Sequence, residues 1–201
     1  MKITALKEQV KNKDRVSIFV DEKYSFSLTF EQLTEQKIKT GSEIDEADLK
    51  VFAKLSQDGK NQATALAWVF NRPRSIKEFH DYGKRKKFDI ELVEQLTDRF
   101  LTRGYLDQER YAKWLVDLRL RKLKSQKAIQ YELRSKGVSA EIINTVMPAD
   151  TKNELSELIK RLKQKSRYQD EKKLKMYLIQ KGFVYSDVVE LLAEFNGSAT
   201  S

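Results

Sequence analysis

The chain has 201 residues, 40% of them apolar and 34% charged. That composition can build a core and excludes a disordered chain, which is poor in Leu, Ile, Val and aromatics. Lys plus Arg outnumber Asp plus Glu by 39 to 30, a net charge of +9, which points to a polyanionic partner, either nucleic acid or an acidic protein surface.

Cysteine is absent and His80 is the only histidine. Disulfides, thiolate zinc sites, Cys nucleophiles and imidazole metal clusters are therefore excluded. Phosphate-loop and dinucleotide signatures are missing. No catalytic residue, metal or cofactor is expected. No apolar run approaches the roughly 18–20 residues of a membrane span. Met1 leads into a mixed polar segment, unlike a signal peptide. A soluble, cytoplasmic, monomeric protein is the expectation.

The charge is unevenly placed. Residues 1–50 hold 9 basic and 10 acidic residues, whereas residues 51–201 hold 30 and 20. A boundary near residue 50 is predicted.

The N-terminal part reads as β. Val16, Ile18 and Val20 alternate, as do Tyr24, Phe26 and Leu28, so each set is predicted to share one strand face. The polar Asp21-Glu22-Lys23 joins the two strands as a hairpin, and Lys2 to Val10 is a third strand. From Thr29 the pattern turns helical, with Thr29-x-x-Gln32 as a capping box. Gly41-Ser42 is a turn. Asp45 begins a helix that contains Leu49, Phe52 and Leu55.

The remainder reads as helix. Pro73 and Pro148 fall between helical stretches. Three stripes have the i, i+3, i+4, i+7 spacing of a buried helix face: Ala63, Leu66, Ala67, Phe70; then Tyr111, Trp114, Leu115, Leu118; then Leu155, Leu158, Ile159, Leu162. Each stripe leads through a basic stretch to a helix cap, at Ser75, Ser125 and Asp170, with Ser75 and Glu78 as a capping box. The second helices bury Phe79, Ile129 and Leu174 and end near Lys87, Gly137 and Gly182. Glycine suits such ends because it accepts a left-handed conformation. Third helices carry Leu92-Val93, Ile142-Ile143 and Val188-Val189.

The predicted fold is mainly α: three tandem three-helix repeats forming an elongated curved body, with a small N-terminal β-hairpin region. The predicted parts are an N-terminal hairpin and short helix at 1–50, repeats at 51–106, 107–149 and 150–196, and a disordered tail at 197–201.

The positive charge recurs with the repeat. Arg72 to Lys87 has a net charge of +5, Lys113 to Lys136 +6, and Lys160 to Lys181 +7. Equivalent places in stacked repeats are expected to form a basic stripe matching a phosphate backbone or an acidic groove. The candidate residues are Arg72, Arg74, Lys84, Arg85 and Lys86 in the first window. They are Arg119, Arg121, Lys122 and Lys124 in the second, and Lys163, Lys165, Arg167 and Lys172 in the third. Arg72 and Arg74 have an alternative role, since either could pair with a carboxylate such as Asp107 and fix how repeats dock. Asp107 reads as an N-cap, and Tyr105, Leu106 and Trp114 read as core. Tyr168 reads as a cover for a helix junction or as a base-stacking ring. His80 has no accompanying catalytic constellation.

Three segments carry a family likeness. Arg72-Pro73-Arg74-Ser75 opens a second helix, and Gly104-Tyr105-Leu106-Asp107-Gln108-Glu109-Arg110-Tyr111-Ala112 opens the next repeat. Together with Leu133-Arg134-Ser135-Lys136-Gly137-Val138, they resemble the RecX family of bacterial recombinase regulators. The hairpin through Val20-Asp21-Glu22-Lys23-Tyr24-Ser25-Phe26-Ser27-Leu28 is similar to the N-terminal extension of longer members. The resemblance implies a helical repeat body that lies in the groove of the RecA–single-stranded DNA filament and suppresses strand exchange and ATP hydrolysis. It also allows direct DNA contact. The chain departs from the family pattern at Gly83, where Leu is usual, and at Lys87, where Gly is usual. A second helix in the first repeat that is kinked or less stable than its counterparts is the expected consequence.

Overall fold

The computed structural model describes residues 1–10 and 12–197. The chain is mostly helical, with one small antiparallel sheet at its N-terminus. It divides into two compact units, one of residues 1–71 and 87–96, the other of the remaining residues.

In the first unit, β1 (Ile3–Glu8), β2 (Arg15–Val20) and β3 (Lys23–Thr29) pair in that order. Val16, Ile18, Val20, Phe26 and Leu28 are buried on one face, as their alternation predicts. Tyr24 departs from that pattern. Ile18 pairs with Phe26 but Phe19 pairs with Tyr24, so Ser25 is an extra residue that turns Tyr24 to the other face. There it is 52% exposed and meets the Phe19 ring edge-on at 6.1 Å.

Helix α1 (Phe30–Glu35) starts at the predicted capping box. The Gln32 N–H donates to Thr29 Oγ1 at 3.2 Å and the Thr29 N–H to Gln32 Oε1 at 2.9 Å. Helix α2 (Glu46–Phe70) begins at Asp45 with a second such box, formed with Asp48. It runs unbroken through residue 50, where the charge shift placed a boundary. The stripe expected near its end is misplaced: Ala65 and Val69 are buried, whereas Ala63 and Ala67 are exposed and Phe70 is 63% exposed. Seven of the eight residues from Ala63 to Phe70 are apolar, so periodicity does not choose a face there.

Arg15 is buried in this unit and faces no carboxylate among its hydrogen-bond partners. Its guanidinium donates to the Ser27 carbonyl and hydroxyl and, at 3.1 Å, to the Ser56 carbonyl of α2. Burial lowers its pKa.

The second unit contains α3 (Ile76–Lys86) and the end of α4 (Ile90–Thr102), from Thr97 onward. Then come α5 (Gln108–Leu120), α6 (Gln126–Ser135) and α7 (Ala140–Val146). Last are α8 (Lys152–Lys163), a 3-10 turn at Ser166–Tyr168, α9 (Glu171–Gln180) and α10 (Tyr185–Gly197). Of the expected tail, Gly197 closes α10 and residues 198–201 lie outside the described residues.

The second and third stripes are buried as predicted. Tyr111 and Leu115 pack with Ile129, Leu133 and Ile143, while Leu155, Ile159 and Leu162 pack with Leu174, Leu178 and Val188. Each such buried aliphatic side chain contributes about 1.5–3 kcal/mol. Trp114, Leu118 and Leu158 are half-buried at the edges. Ser75, Ser125 and Asp170 cap α3, α6 and α9, each accepting a first-turn N–H. Helix α3 runs from Ile76 to Lys86 with Gly83 buried within it.

Successive second helices dock carbonyl end onto amide end. The end of α6 sits at the start of α3: Lys77 Nζ donates to the Ser135 carbonyl at 2.8 Å, and Gln108 Nε2 to the Gly137 carbonyl at 3.2 Å. The end of α9 sits at the start of α6, where Ser125 Oγ donates to the Lys181 carbonyl at 2.6 Å. A lysine in a first turn opposes its own helix dipole, but Lys77 lies at the negative end of the next helix.

Candidate binding surface

The structure separates the thirteen predicted cations into two sets, all within the second unit. Four are partly buried: Arg72, Arg74, Arg119 and Lys163. Arg72 grips Glu78 with both nitrogens, at 3.0 and 3.1 Å, and donates to the Pro73 carbonyl at 2.7 Å. Its guanidinium lies 4.8 Å from the Trp114 ring centre, and Lys136 Nζ is 3.5 Å from Glu78. The carboxylate expected to close the Ser75 capping box is thus turned to Arg72 and Lys136. Burial pushes the Glu78 carboxyl up, but Arg72 and Lys136 outweigh it and hold the group below its usual value. This arrangement favours the docking role for Arg72, with Glu78 in place of Asp107. Asp107 instead caps α5, accepting the Arg110 N–H at 2.9 Å.

Arg74 is half-buried beside Arg72, and burial and that neighbouring charge lower its pKa. Arg119 on α5 holds Glu132 on α6 in a two-pronged pair at 2.7 and 2.6 Å. Lys163 donates to Asn196 Oδ1 at 2.9 Å and lies 5.3 Å from the Phe195 ring centre. The charges of Arg72 and Arg119 are therefore spent inside the fold, whereas Lys163 meets a neutral amide and a ring.

Nine cations are exposed. Lys84, Arg85 and Lys86 form the last turn of α3, where positive charge complements the helix dipole. Arg85 and Lys86 lie 5.7 and 5.9 Å from the Tyr82 ring centre. Arg121, Lys122 and Lys124 occupy the α5–α6 connection. Lys165 and Arg167 occupy the α8–α9 connection, and Lys172 opens α9. Each group stands at one end of a second helix, exposed at a chain connection or terminal turn.

Two clefts adjoin the second group. Arg121 lines one of about 490 Å³ together with Asp117, Glu154 and Glu157, so its surroundings are acidic. Lys124 lines another of about 250 Å³ with Ala128, Tyr131 and Ser135. Tyr131 is 76% exposed and is not singled out by the charge pattern. Its position in the helix reveals it: it lies midway between buried Ile129 and Leu133, opposite the core-facing side.

Tyr168 meets Tyr177 at 5.0 Å and packs on the third core cluster, which fits the covering role. His80 Nε2 is 3.1 Å from Thr97 Oγ1. Among the described residues, no helix is long and apolar enough to cross a membrane.

Comparison with known proteins bears on this architecture. Residues 1–45 match the regulatory protein RecX N-terminal domain, and residues 107–147 match the RecX second three-helix domain. Regulatory protein RecX of Clostridium botulinum (strain Alaska E43 / Type E3) is 30% identical over 203 residues, spanning 96% of this chain and 95% of the relative. Regulatory protein RecX of Listeria innocua serovar 6a is 29% identical over 202 residues, spanning 96% and 75%. A crystal structure of regulatory protein RecX shares the fold, with a TM-score of 0.74 at 23% identity over 96% of this chain and 98% of that one. The RecX structure from Lactobacillus salivarius gives 0.58 at 19% identity over 69% and 96%. With its sheet, its helices in threes and a 30% identical relative matched along nearly its full length, the chain belongs to the RecX family of regulatory proteins.

Proposed function

We propose that the chain regulates a RecA recombinase by binding the RecA–single-stranded DNA filament and suppressing ATP hydrolysis and strand exchange. It acts by binding, as a cytoplasmic monomer without a cofactor. The observation that carries this reading is the set of nine exposed cations at the ends of α3, α6 and α9. Lys84, Arg85 and Lys86 lie at the carboxyl end of α3 and the other two groups at the amino ends of α6 and α9, each exposed to meet acidic protein or phosphate.

The test is RecA ATPase on single-stranded DNA with added protein. Wild type inhibits at amounts well below one molecule per DNA site. Lys122→Glu with Lys124→Glu weakens inhibition about ten-fold while the circular dichroism spectrum is retained. Full ATPase activity at excess protein would sink the reading.

Direct DNA occupancy is the second reading, favoured by the exposed Lys122 and Lys124 beside an exposed aromatic ring. It requires steeply salt-dependent DNA binding without RecA. Inhibition that persists where the protein binds no DNA would eliminate it.

A further inference from the structure

Tyr131 is a large aromatic side chain with no packing task. It stands on the outer side of α6, 76% exposed, among the exposed cations of the middle repeat. Around it, the helix repeat places Lys127 four residues before and Arg134 three residues after, both on one flank. Both are exposed. The stem of Lys127 lies against Gly182 of the following repeat, where a Cβ would come within 3.1 Å of it.

The other flank holds Ala128 and Ser135, three residues before and four after. Their small side chains leave the cleft of about 250 Å³ beside Tyr131, with Lys124 and Glu132 also on its lining. Arg119 already neutralises Glu132 at 2.6–2.7 Å, so no unopposed carboxylate repels an anion there. The corresponding residues in the other second helices are Asp81 and Met176. Neither offers a ring, so the arrangement belongs to the middle repeat alone.

We propose that Tyr131 and this cleft form a base-stacking subsite for single-stranded DNA. One unstacked base lies against the Tyr131 ring in the cleft, and Lys127, Arg134 and Lys124 meet the flanking phosphates. A stack of this kind is indifferent to sequence, because every base has a π-face. Stacking on the ring needs a free base face, which an intact duplex does not offer, so single strands are preferred. The inference rests on the proposed basic surface and adds to it the ligand group that the surface engages.

The experiment uses the full chain and two fluorescent 20-nucleotide probes, oligo-dT and its abasic counterpart, followed by anisotropy. Wild type binds oligo-dT more tightly than the abasic strand. Tyr131→Ala weakens oligo-dT binding at least about five-fold and leaves abasic binding unchanged. Tyr131→Trp restores oligo-dT affinity, and its fluorescence is quenched on binding. Equal affinity of Tyr131→Ala and wild type for oligo-dT overturns the proposal. So does an equal loss on both probes, which would mean a charge or folding effect. Loss of RecA inhibition by Tyr131→Ala with oligo-dT affinity intact also overturns it, because the ring would then meet protein. The filament-regulator reading has a separate readout, ATPase inhibition by the wild-type chain, and survives failure of the stacking site.

Discussion

Arg119 on α5 and Glu132 on α6 form a two-pronged ion pair, with N–O distances of 2.7 and 2.6 Å and both side chains mostly sheltered. Their pairing joins the first and second helices of the middle repeat at the flank of the buried face that carries Ile129 and Leu133. Arg119→Ala leaves Glu132 half-buried without its fork and costs about 1–2 kcal/mol of stability. Arg119→Lys recovers only part of that, because an ammonium cannot make the parallel contacts. Thermal unfolding separates this residue from its neighbours: Lys122→Glu with Lys124→Glu changes the melting temperature little, since both side chains are exposed. A melting temperature unaffected by Arg119→Ala would contradict the pair's structural role.

The same pair makes stability acid-sensitive. The hydrogen bond from Arg119 holds the Glu132 carboxyl below its ordinary value of 4.5, against the opposing effect of burial. Glu78 is held low by Arg72 and Lys136. A carboxyl with a depressed folded-state pKa binds its proton more readily in the unfolded chain. Its stabilisation is complete above about pH 4.5 and is lost as pH falls through the folded-state value. Urea midpoints measured between pH 7 and pH 3 are expected to fall in that acid window. Glu132→Gln is less stable at pH 7 and shows a shallower acid decline. A Glu132→Gln profile parallel to wild type would assign the acid loss to other groups.

Much of the fold is written in the sequence where polar and apolar residues alternate sharply. The stripe around Leu155 has clear polar neighbours, Val16, Ile18 and Val20 recur at every second residue, and Tyr111 and Leu115 recur at helical spacing; all fall on the buried face. The stripe near Phe70 does not, because Ala63 to Phe70 is apolar almost throughout and the face is chosen by packing. Tyr24 turns outward because of one extra residue in β3, which alternation alone does not show. The basic windows are legible as charge, but not as free charge. Arg72, Arg119 and Lys163 find Glu78, Glu132 and Asn196 only once the helices are packed. Glu132 lies thirteen residues from Arg119, a spacing that no helix rule links. Which cations face solvent is therefore a tertiary property, whereas the exposure of Tyr131 follows from its place in the helix and only the cleft beside it needs the packed structure.

Gly182 and Gly137 end equivalent helices but are under different constraints. Both have positive φ, 87° and 77°. A Cβ at Gly182 would lie 3.0 Å from Ser125 Oγ and 3.1 Å from Lys127 Cβ, whereas one at Gly137 would lie 3.5 Å from Lys77 Cβ. Alanine at either position pays the left-handed penalty of about 1 kcal/mol. At residue 182 it also crowds the Ser125–Lys181 hydrogen bond that docks the third repeat on the second. Gly182→Ala is expected to cost about 2 kcal/mol and Gly137→Ala about 1 kcal/mol. Lys87 shows that backbone geometry alone does not demand glycine, since it holds φ of 57° with a full side chain. Equal losses for the two variants, measured by chemical denaturation, would remove the close-packing explanation.

In the first unit, Gly59 makes room for Arg15. A Cβ at residue 59 would lie 2.8 Å from Arg15 Nη1 and 3.3 Å from Gln32 Nε2. Glycine inside a helix costs about 1 kcal/mol relative to alanine, so an exposed position would gain from the substitution. Here the sign reverses. Arg15 is 5% exposed and relies on neutral oxygens, the Ser27 and Ser56 carbonyls and hydroxyls, to tie β2 and β3 to α2. Displacing it would strand a buried cation, which costs several times more than the helix gain. Gly59→Ala is expected to destabilise the sheet and α2 by about 2–3 kcal/mol. Amide exchange should show it, with faster exchange at β2 and β3 and little change at α6 and α9. A stabilised Gly59→Ala protein would mean that the guanidinium moves aside freely and that its contacts with Ser27 and Ser56 do not hold the sheet to the helix.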